Sequence, residues 1–258
     1  MNLLEIKELS KKFGGLTALD SVDFTVEAGT VIGLIGPNGA GKTTLFNCIT
    51  GLHSPTAGEV CFQGETVLGL SPHRLVERGM ARTFQGIRLF SEMTVLENVM
   101  VGADCRMRSG VWGALFRGEK VRQEEEAIRT KADLLLEFVG LADSGHRKAR
   151  TLCYGDQRRL EIVRALASDP ALLLLDEPAA GMNPAETGEL MRLIGTIRKK
   201  GITIVLIEHD MKVVMGISDR VVVLDHGVKI AEGRPQEIQR DSKVIEAYLG
   251  VGSDGPDA

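Results

Sequence analysis

No stretch of about 18 apolar residues occurs in this 258-residue chain, so none of it is built to cross a bilayer as a helix. The longest apolar run, PALLLLDEP, closes on two carboxylates and reads as a buried strand. The opening MNLLEIKELSKKF mixes charged with apolar residues and lacks the apolar centre of a signal peptide. Cysteine is sparse and scattered: Cys48, Cys61, Cys105 and Cys153 form no CxxC pair, and no His-rich cluster accompanies them. That argues against a zinc site or a disulfide framework and for a reducing cytoplasm. Excess positive charge is missing too. A formal net charge of −4 gives no reason to expect nucleic acid as a ligand.

What is present is ordinary in bulk and specific in pattern. With 43% hydrophobic and 26% charged residues, the chain has the composition of a globular protein with one large domain or a core plus a subdomain. Strands are expected at Leu4–Leu9, Val22–Val26, Val31–Ile35 and Glu59–Phe62, with Met80–Gln85 extended and a helix over Gly41–Thr50. From Val95 to Ala167 the pattern is mainly helical, with Val121, Ile128, Leu135 and Val139 near helical spacing and Gly140 as a stop. Beyond it, strands at Leu172–Asp176, Ile202–Ile207 and Val221–Asp225 alternate with helices at Pro184–Lys199 and Met211–Gly216. This alternation predicts an α/β fold whose sheet is mixed but largely parallel and covered on both faces. The early strands follow one another without helices, which adds an N-terminal antiparallel β portion. The reading is thus one domain over residues 1–258. A core from 1–88 and 168–250 receives an inserted α-helical subdomain at 89–167, and a small acidic tail at 251–258 is expected to be disordered.

The segment GLIGPNGAGKTT carries the strongest signal. Gly36, four residues on to Gly41, then Lys42 and Thr43, fit a phosphate-binding P-loop between a strand and a helix. Glycines let the backbone of Gly36, Pro37, Asn38, Gly39, Ala40 and Gly41 curl so that N–H groups converge on phosphate, and the helix starting near Lys42 to Thr44 adds its dipole. Lys42 reaches the β- and γ-phosphates, and Thr43 holds Mg²⁺. The strand ALLLLDEP supplies the partner: Asp176 faces the metal, and Glu177 polarises an attacking water.

Around these two motifs stand others in a fixed order. They are a glutamine in ARTFQ (Gln85), the stretch LCYGDQ at Leu152–Gln157, AAGMNP after Glu177, and a histidine in LIEHD (His209). Together they resemble the ATP-binding cassette family, the motor subunits of ABC transporters, over about residues 3–250. The resemblance implies a P-loop NTPase core with ATP and Mg²⁺ as cofactors. Phe13 would stack on adenine. Gln85 would contact Mg²⁺ and the attacking water, and His209 would reach the γ-phosphate. RTFQGIRLFSEMTVLENVMVG, LLLLDEPAAGMNPAET, VLIEHDMKVVMGISDRVVVLDHG and VIEAYLG narrow the resemblance to the longer ATP-binding subunit of branched-chain amino-acid importers. RMRSGVWGALFRGEKVRQEEE, which holds Trp112, would then be a surface flap of the helical subdomain or a contact to the membrane subunits or lipid head groups.

That resemblance implies an ATPase that powers uptake of Leu, Ile or Val. It would work as one of two facing cassettes, the second being a different chain, on two transmembrane permease subunits served by an extracytoplasmic solute-binding protein. The expected place is peripheral, on the cytoplasmic face of the inner membrane. A cassette for urea, short amides or lipopolysaccharide remains the alternative. A soluble ATPase of DNA repair or translation control is disfavoured, because neither a long coiled-coil interruption nor a second cassette occurs here.

Within LCYGDQ, Cys153, Gly155 and Asp156 would meet the nucleotide of the opposite cassette, ahead of a helix read at Gln157–Ala167. The family usually has Ser or another small residue at position 153 and Gln at position 156. Cys153 is a weak donor. Asp156 is expected either to cap its helix or to oppose the incoming phosphate.

Overall fold

The computed structural model describes residues 2–106 and 119–249. The expectations for the loop around Trp112 and for the tail at 251–258 lie outside them, as does the side chain of Val121.

Two sheets organise the chain. The first is antiparallel: β1 (Asn2–Phe13) pairs on one side with β2 (Leu16–Glu27) and on the other with β4 (Ala57–Phe62), which carries the short β5 (Glu65–Thr66). The long β1–β2 hairpin alternates buried and exposed side chains, so Leu4, Ile6, Leu9, Val22, Phe24 and Val26 face inward. The second sheet runs β10 (Val228–Gly233), β9 (Arg220–Asp225), β3 (Val31–Ile35), β8 (Thr203–Ile207), β7 (Leu172–Asp176), β6 (Met80–Arg82). All its pairings are parallel except the β9–β10 hairpin. The sheet is therefore mixed and largely parallel, as the sequence predicts.

Strands β3, β7 and β8 are buried at every position, which is why they read as apolar runs rather than as alternations. Alternate residues nonetheless serve different cores. Ile32, Leu34, Leu172, Leu174, Val205 and Ile207 pack toward the antiparallel sheet and helix α1 (Lys42–Ile49). Val31, Leu173, Leu175, Ile204 and Leu206 pack toward α3 (Val95–Ala103), α4 (Glu119–Phe138), α5 (Tyr154–Leu166) and α6 (Pro184–Lys199). A short α2 (Pro72–Glu77) precedes β6, and α7 (Met211–Ile217), α8 (Pro235–Ile238) and α9 (Ser242–Leu249) close the chain against β9 and β10. Between β6 and β7 the described residues add no strand to either sheet, and short 3₁₀ turns at Ala142–Ser144 and Ala149–Thr151 link α4 to α5. Helices α3 and α5 cross closely at Gly102, where an added Cβ would lie 2.1 Å from the Arg164 carbonyl oxygen.

The end of the chain reaches back to the loop between β3 and α1 at two points. The β9–β10 turn at Gly227 (φ 81°) is tied on both sides, since its N–H donates to Ala40 O at 3.1 Å and its carbonyl accepts from Asp20 N–H at 2.9 Å. On α9, burial raises the pKa of the Tyr248 phenol, and a hydrogen bond from the Gly36 backbone partly offsets that.

Candidate functional site

Parallel pairing brings the C-terminal ends of β3, β8 and β7 to one level: Leu34 and Asp176 both sit opposite Ile207. Loops leaving that edge carry the chemistry, as expected where ligands bind beyond the carboxyl ends of parallel strands. The loop after β3 turns through Gly36 (φ 151°), Gly39 (φ 84°) and Gly41 (φ 99°). A Cβ on Gly36 would sit 2.0 Å from Leu224 O, and one on Gly41 2.6 Å from Ala18 O, so only glycine fits at either position. Lys42 begins α1 and folds back over this loop, its Nζ donating to Gly36 O at 2.6 Å and to Pro37 O at 2.8 Å. Burial lowers the Lys42 pKa, and the charges of Glu177 and Asp176 partly restore it. A half-buried ammonium over a glycine-rich loop at a helix start is suited to receive an anion.

A cleft of about 470 Å³ opens over the loop and is lined by Phe13, Asn38 to Thr44, Gln85, Glu177 and His226. Phe13 is 43% exposed at its rim, so it is no part of the core, and the edge of His53 packs against its ring. Gln85 Nε2 donates to Glu177 Oε2 at 2.8 Å, joining two residues far apart in sequence. Glu177 itself adopts a left-handed backbone (φ 46°) and donates its N–H to Ile207 O at 2.9 Å. His209 is well exposed, with Nδ1 at 3.9 Å from both Glu177 Oε2 and Glu208 Oε2. Glu208 is buried and accepts from the Ala179 N–H at 2.7 Å. Burial pushes its pKa up, opposed by that bond and by its neighbour His209.

Asp176 is not an isolated carboxylate. Its Oδ2 forms a buried ion pair with Arg82 at 2.7 Å, and Arg82 also donates to Asn47 Oδ1 on α1 and to Thr50 Oγ1 at its C-cap. The remaining oxygen, Oδ1, is left for a metal or its water.

Cys153, Gly155 and Asp156 are not among the residues lining this cleft. They stand at the start of α5, which begins at Tyr154 rather than at Gln157. Cys153 is the N-cap residue, yet its side chain makes no capping bond. Asp156 lies in the first turn and pairs with Arg159 instead of capping, because the helix starts at Tyr154 and leaves the cap position to Cys153. The expectation of a helix cap is corrected accordingly.

A family model described as "ABC transporter" matches residues 19–180, which contain the phosphate loop, Gln85, the start of α5, Asp176 and Glu177. The chain belongs to the ABC transporter family. A second model, "Branched-chain amino acid ATP-binding cassette transporter", matches residues 228–254. The high-affinity branched-chain amino acid transport ATP-binding protein BraF of Pseudomonas aeruginosa is 46% identical to this cassette, covering 96% of this chain and 98% of that protein. LivG of Escherichia coli K12, of the same description, is 45% identical over the same shares. Among solved structures, an ATP-binding cassette of an ABC transporter in its ADP conformation is 37% identical with a TM-score of 0.85, covering 97% of this chain and 99% of that one.

Sequence reasoning missed several residues that organise the cassette. Arg82 precedes Gln85 in ARTFQ and is visible there only as a cation before a motif. Glu208 stands inside LIEHD beside the more conspicuous histidine. Arg158 and Glu161 pair within α5, each about 1% exposed. Their one available signal is an opposite-charge pair three apart on a helix that otherwise turns Leu160, Ile162 and Val163 inward.

Proposed function

We propose that this cassette binds and hydrolyses ATP to power a branched-chain amino-acid (Leu, Ile, Val) importer. The observation that carries the reading is a glycine loop with Lys42 folded over it and the Gln85–Glu177 pair at its mouth, in a chain 45–46% identical to branched-chain amino acid transport ATP-binding proteins. In this reading the loop amides and Lys42 hold the β- and γ-phosphates, Phe13 stacks on adenine, Glu177 accepts a proton from water, and His209 meets the γ-phosphate. Thr43, Gln85 and Asp176 form an all-oxygen donor set suited to Mg²⁺, with phosphate oxygens and water completing its shell. When bound, that ion supplies charge neutralisation between the phosphates.

Cys153, Gly155 and Asp156 face the nucleotide of a second, different cassette, in keeping with their place outside this chain's own cleft. Two permease subunits are the further partners, with a solute-binding protein acting through them. The apolar cleft of about 750 Å³ beside β6, where Phe90 is 47% and Val101 41% exposed, is the surface that fits a permease loop. No helix of the described residues is long and apolar enough to cross a membrane, and attachment to the cytoplasmic face through the permeases meets that constraint.

The test is reconstitution with the permease and partner cassette in vesicles. Lys42→Ala should abolish both ATP hydrolysis and ATP-driven leucine uptake. Near-normal turnover in that variant, or hydrolysis without uptake of Leu, Ile or Val in the unmodified complex, overturns the assignment.

A further inference from the structure

Arg158 occupies an unusual position for a guanidinium. It is 1% exposed, on a helix whose N-terminus reaches the protein surface. Its Nη1 donates to Phe84 O at 2.8 Å and to Glu161 Oε2 at 3.0 Å, and its Nη2 donates to Gln85 O. Glu161 uses its second oxygen to accept the Arg88 N–H at 3.2 Å, so the ion pair grips the Gln85 loop from both ends. Nη2 also approaches the Tyr154 hydroxyl at 3.4 Å, and that hydroxyl donates to Ala180 O at 2.9 Å. Ala180 N–H returns to Glu177 O at 3.2 Å, and Glu177 accepts from Gln85.

The contacts close a ring: Glu177, Gln85, Arg158, Tyr154, Ala180 and back to Glu177. Two loops separated in sequence are tied to the start of α5 around one buried cation. A buried ion pair is a poor stabiliser compared with apolar packing, because desolvation offsets its attraction; its better-attested use is to fix one conformation among several. Arg158 has no need to be charged for α5 to pack. It does need two fixed amino groups to hold two consecutive carbonyls and a hydroxyl together, while its Nε is buried without a partner.

We infer that Arg158, acting through Tyr154, is a positioning residue that makes the Gln85–Glu177 geometry of this chain's own site depend on where the N-terminus of α5 sits. This rests on the proposed function, in which that N-terminus meets the nucleotide of the opposite cassette. A shift of Tyr154 on closure over that nucleotide then moves the Ala180 turn and the Gln85 carbonyl together, and with them both hydrolytic side chains. Neither Arg158 nor Tyr154 touches the reacting atoms.

The experiment is a double-mutant cycle in the reconstituted transporter, with Tyr154→Phe and Gln85→Ala made singly and together. Tyr154→Phe removes only a hydroxyl from a ring that is 42% exposed, so the fold survives. Losing its contacts to Ala180 and Arg158 should lower kcat roughly two- to tenfold. The ATP KM, and the affinity of the isolated chain for a fluorescent ADP analogue, should stay unchanged. In the Gln85→Ala background Tyr154→Phe should cost less than it does alone, since part of its effect runs through that glutamine and the rest through the Ala180 turn to Glu177. Arg158→Lys should lower kcat further than Tyr154→Phe, again at constant KM. An unchanged kcat in Tyr154→Phe, or losses that multiply in the double variant, overturns the inference while leaving the ATPase reading intact. Turnover unmoved by both Gln85→Ala and Glu177→Gln would overturn the hydrolytic reading, and the inference with it.

Discussion

At the scale of the residue, the phosphate loop separates two kinds of glycine requirement. Gly36 has a left-handed backbone and a carbonyl oxygen where its Cβ would go, whereas Gly39 has a left-handed backbone over open space. Gly39→Ala should therefore cost about 1 kcal/mol of backbone strain. Gly36→Ala should cost about 1–3 kcal/mol more, because backbone atoms of β9 have to move. Chemical denaturation of the two variants side by side checks the order, and equal losses would show that the Leu224 contact yields easily. The same contrast explains what is legible in the sequence. The Gly36, Gly41, Lys42 and Thr43 spacing, with Asp176 and Glu177 after an apolar strand, is fixed by phosphate chemistry within short stretches. Arg82 and Arg158 derive their roles from partners on other elements, so no local pattern marks them.

Element boundaries follow the same logic. The fully buried strands β3, β7 and β8 are readable because both faces must be apolar. By contrast β10 escapes a reading by pattern, since VKIAEG is a half-buried edge strand with neither alternation nor an apolar run. Helix α6 is legible at its true limits because Asn183 and Pro184 mark its start. Asn183 Oδ1 accepts from Ala185 and Glu186 N–H at 2.9 and 3.0 Å, and Glu186 accepts in turn from the Asn183 N–H. Asn183→Ala should destabilise the cassette by about 1 kcal/mol. It should also loosen the turn from Ala179 to Met182, which hydrogen exchange at those amides would report as faster opening. Unchanged exchange with lowered stability would mean that the cap supports α6 alone.

At the scale of the whole molecule, the proposed function gives this chain two nucleotide-facing surfaces, one for its own nucleotide and one for that of the opposite cassette. The cleft over Lys42 is the first, and the start of α5 presents the other. Glu177→Gln should retain ATP binding yet stall hydrolysis, because an amide cannot accept the water proton. With the partner cassette present it should accumulate as a dimer that occludes two nucleotides. Size-exclusion chromatography with ATP that shows only monomers under those conditions would contradict the facing-cassette arrangement.

The brace beneath the phosphate loop has its own corollary. Gly227 ties the β9–β10 turn to Ala40 just ahead of the region matched by the branched-chain model, and Tyr248, inside that region, meets Gly36 of the phosphate loop. A chimera that exchanges only the segment from Val228 onward between two cassettes would therefore exchange part of the scaffold on which ATP rests. Differences in nucleotide affinity between transporters with identical phosphate-loop sequences then have a physical origin at the far end of the polypeptide.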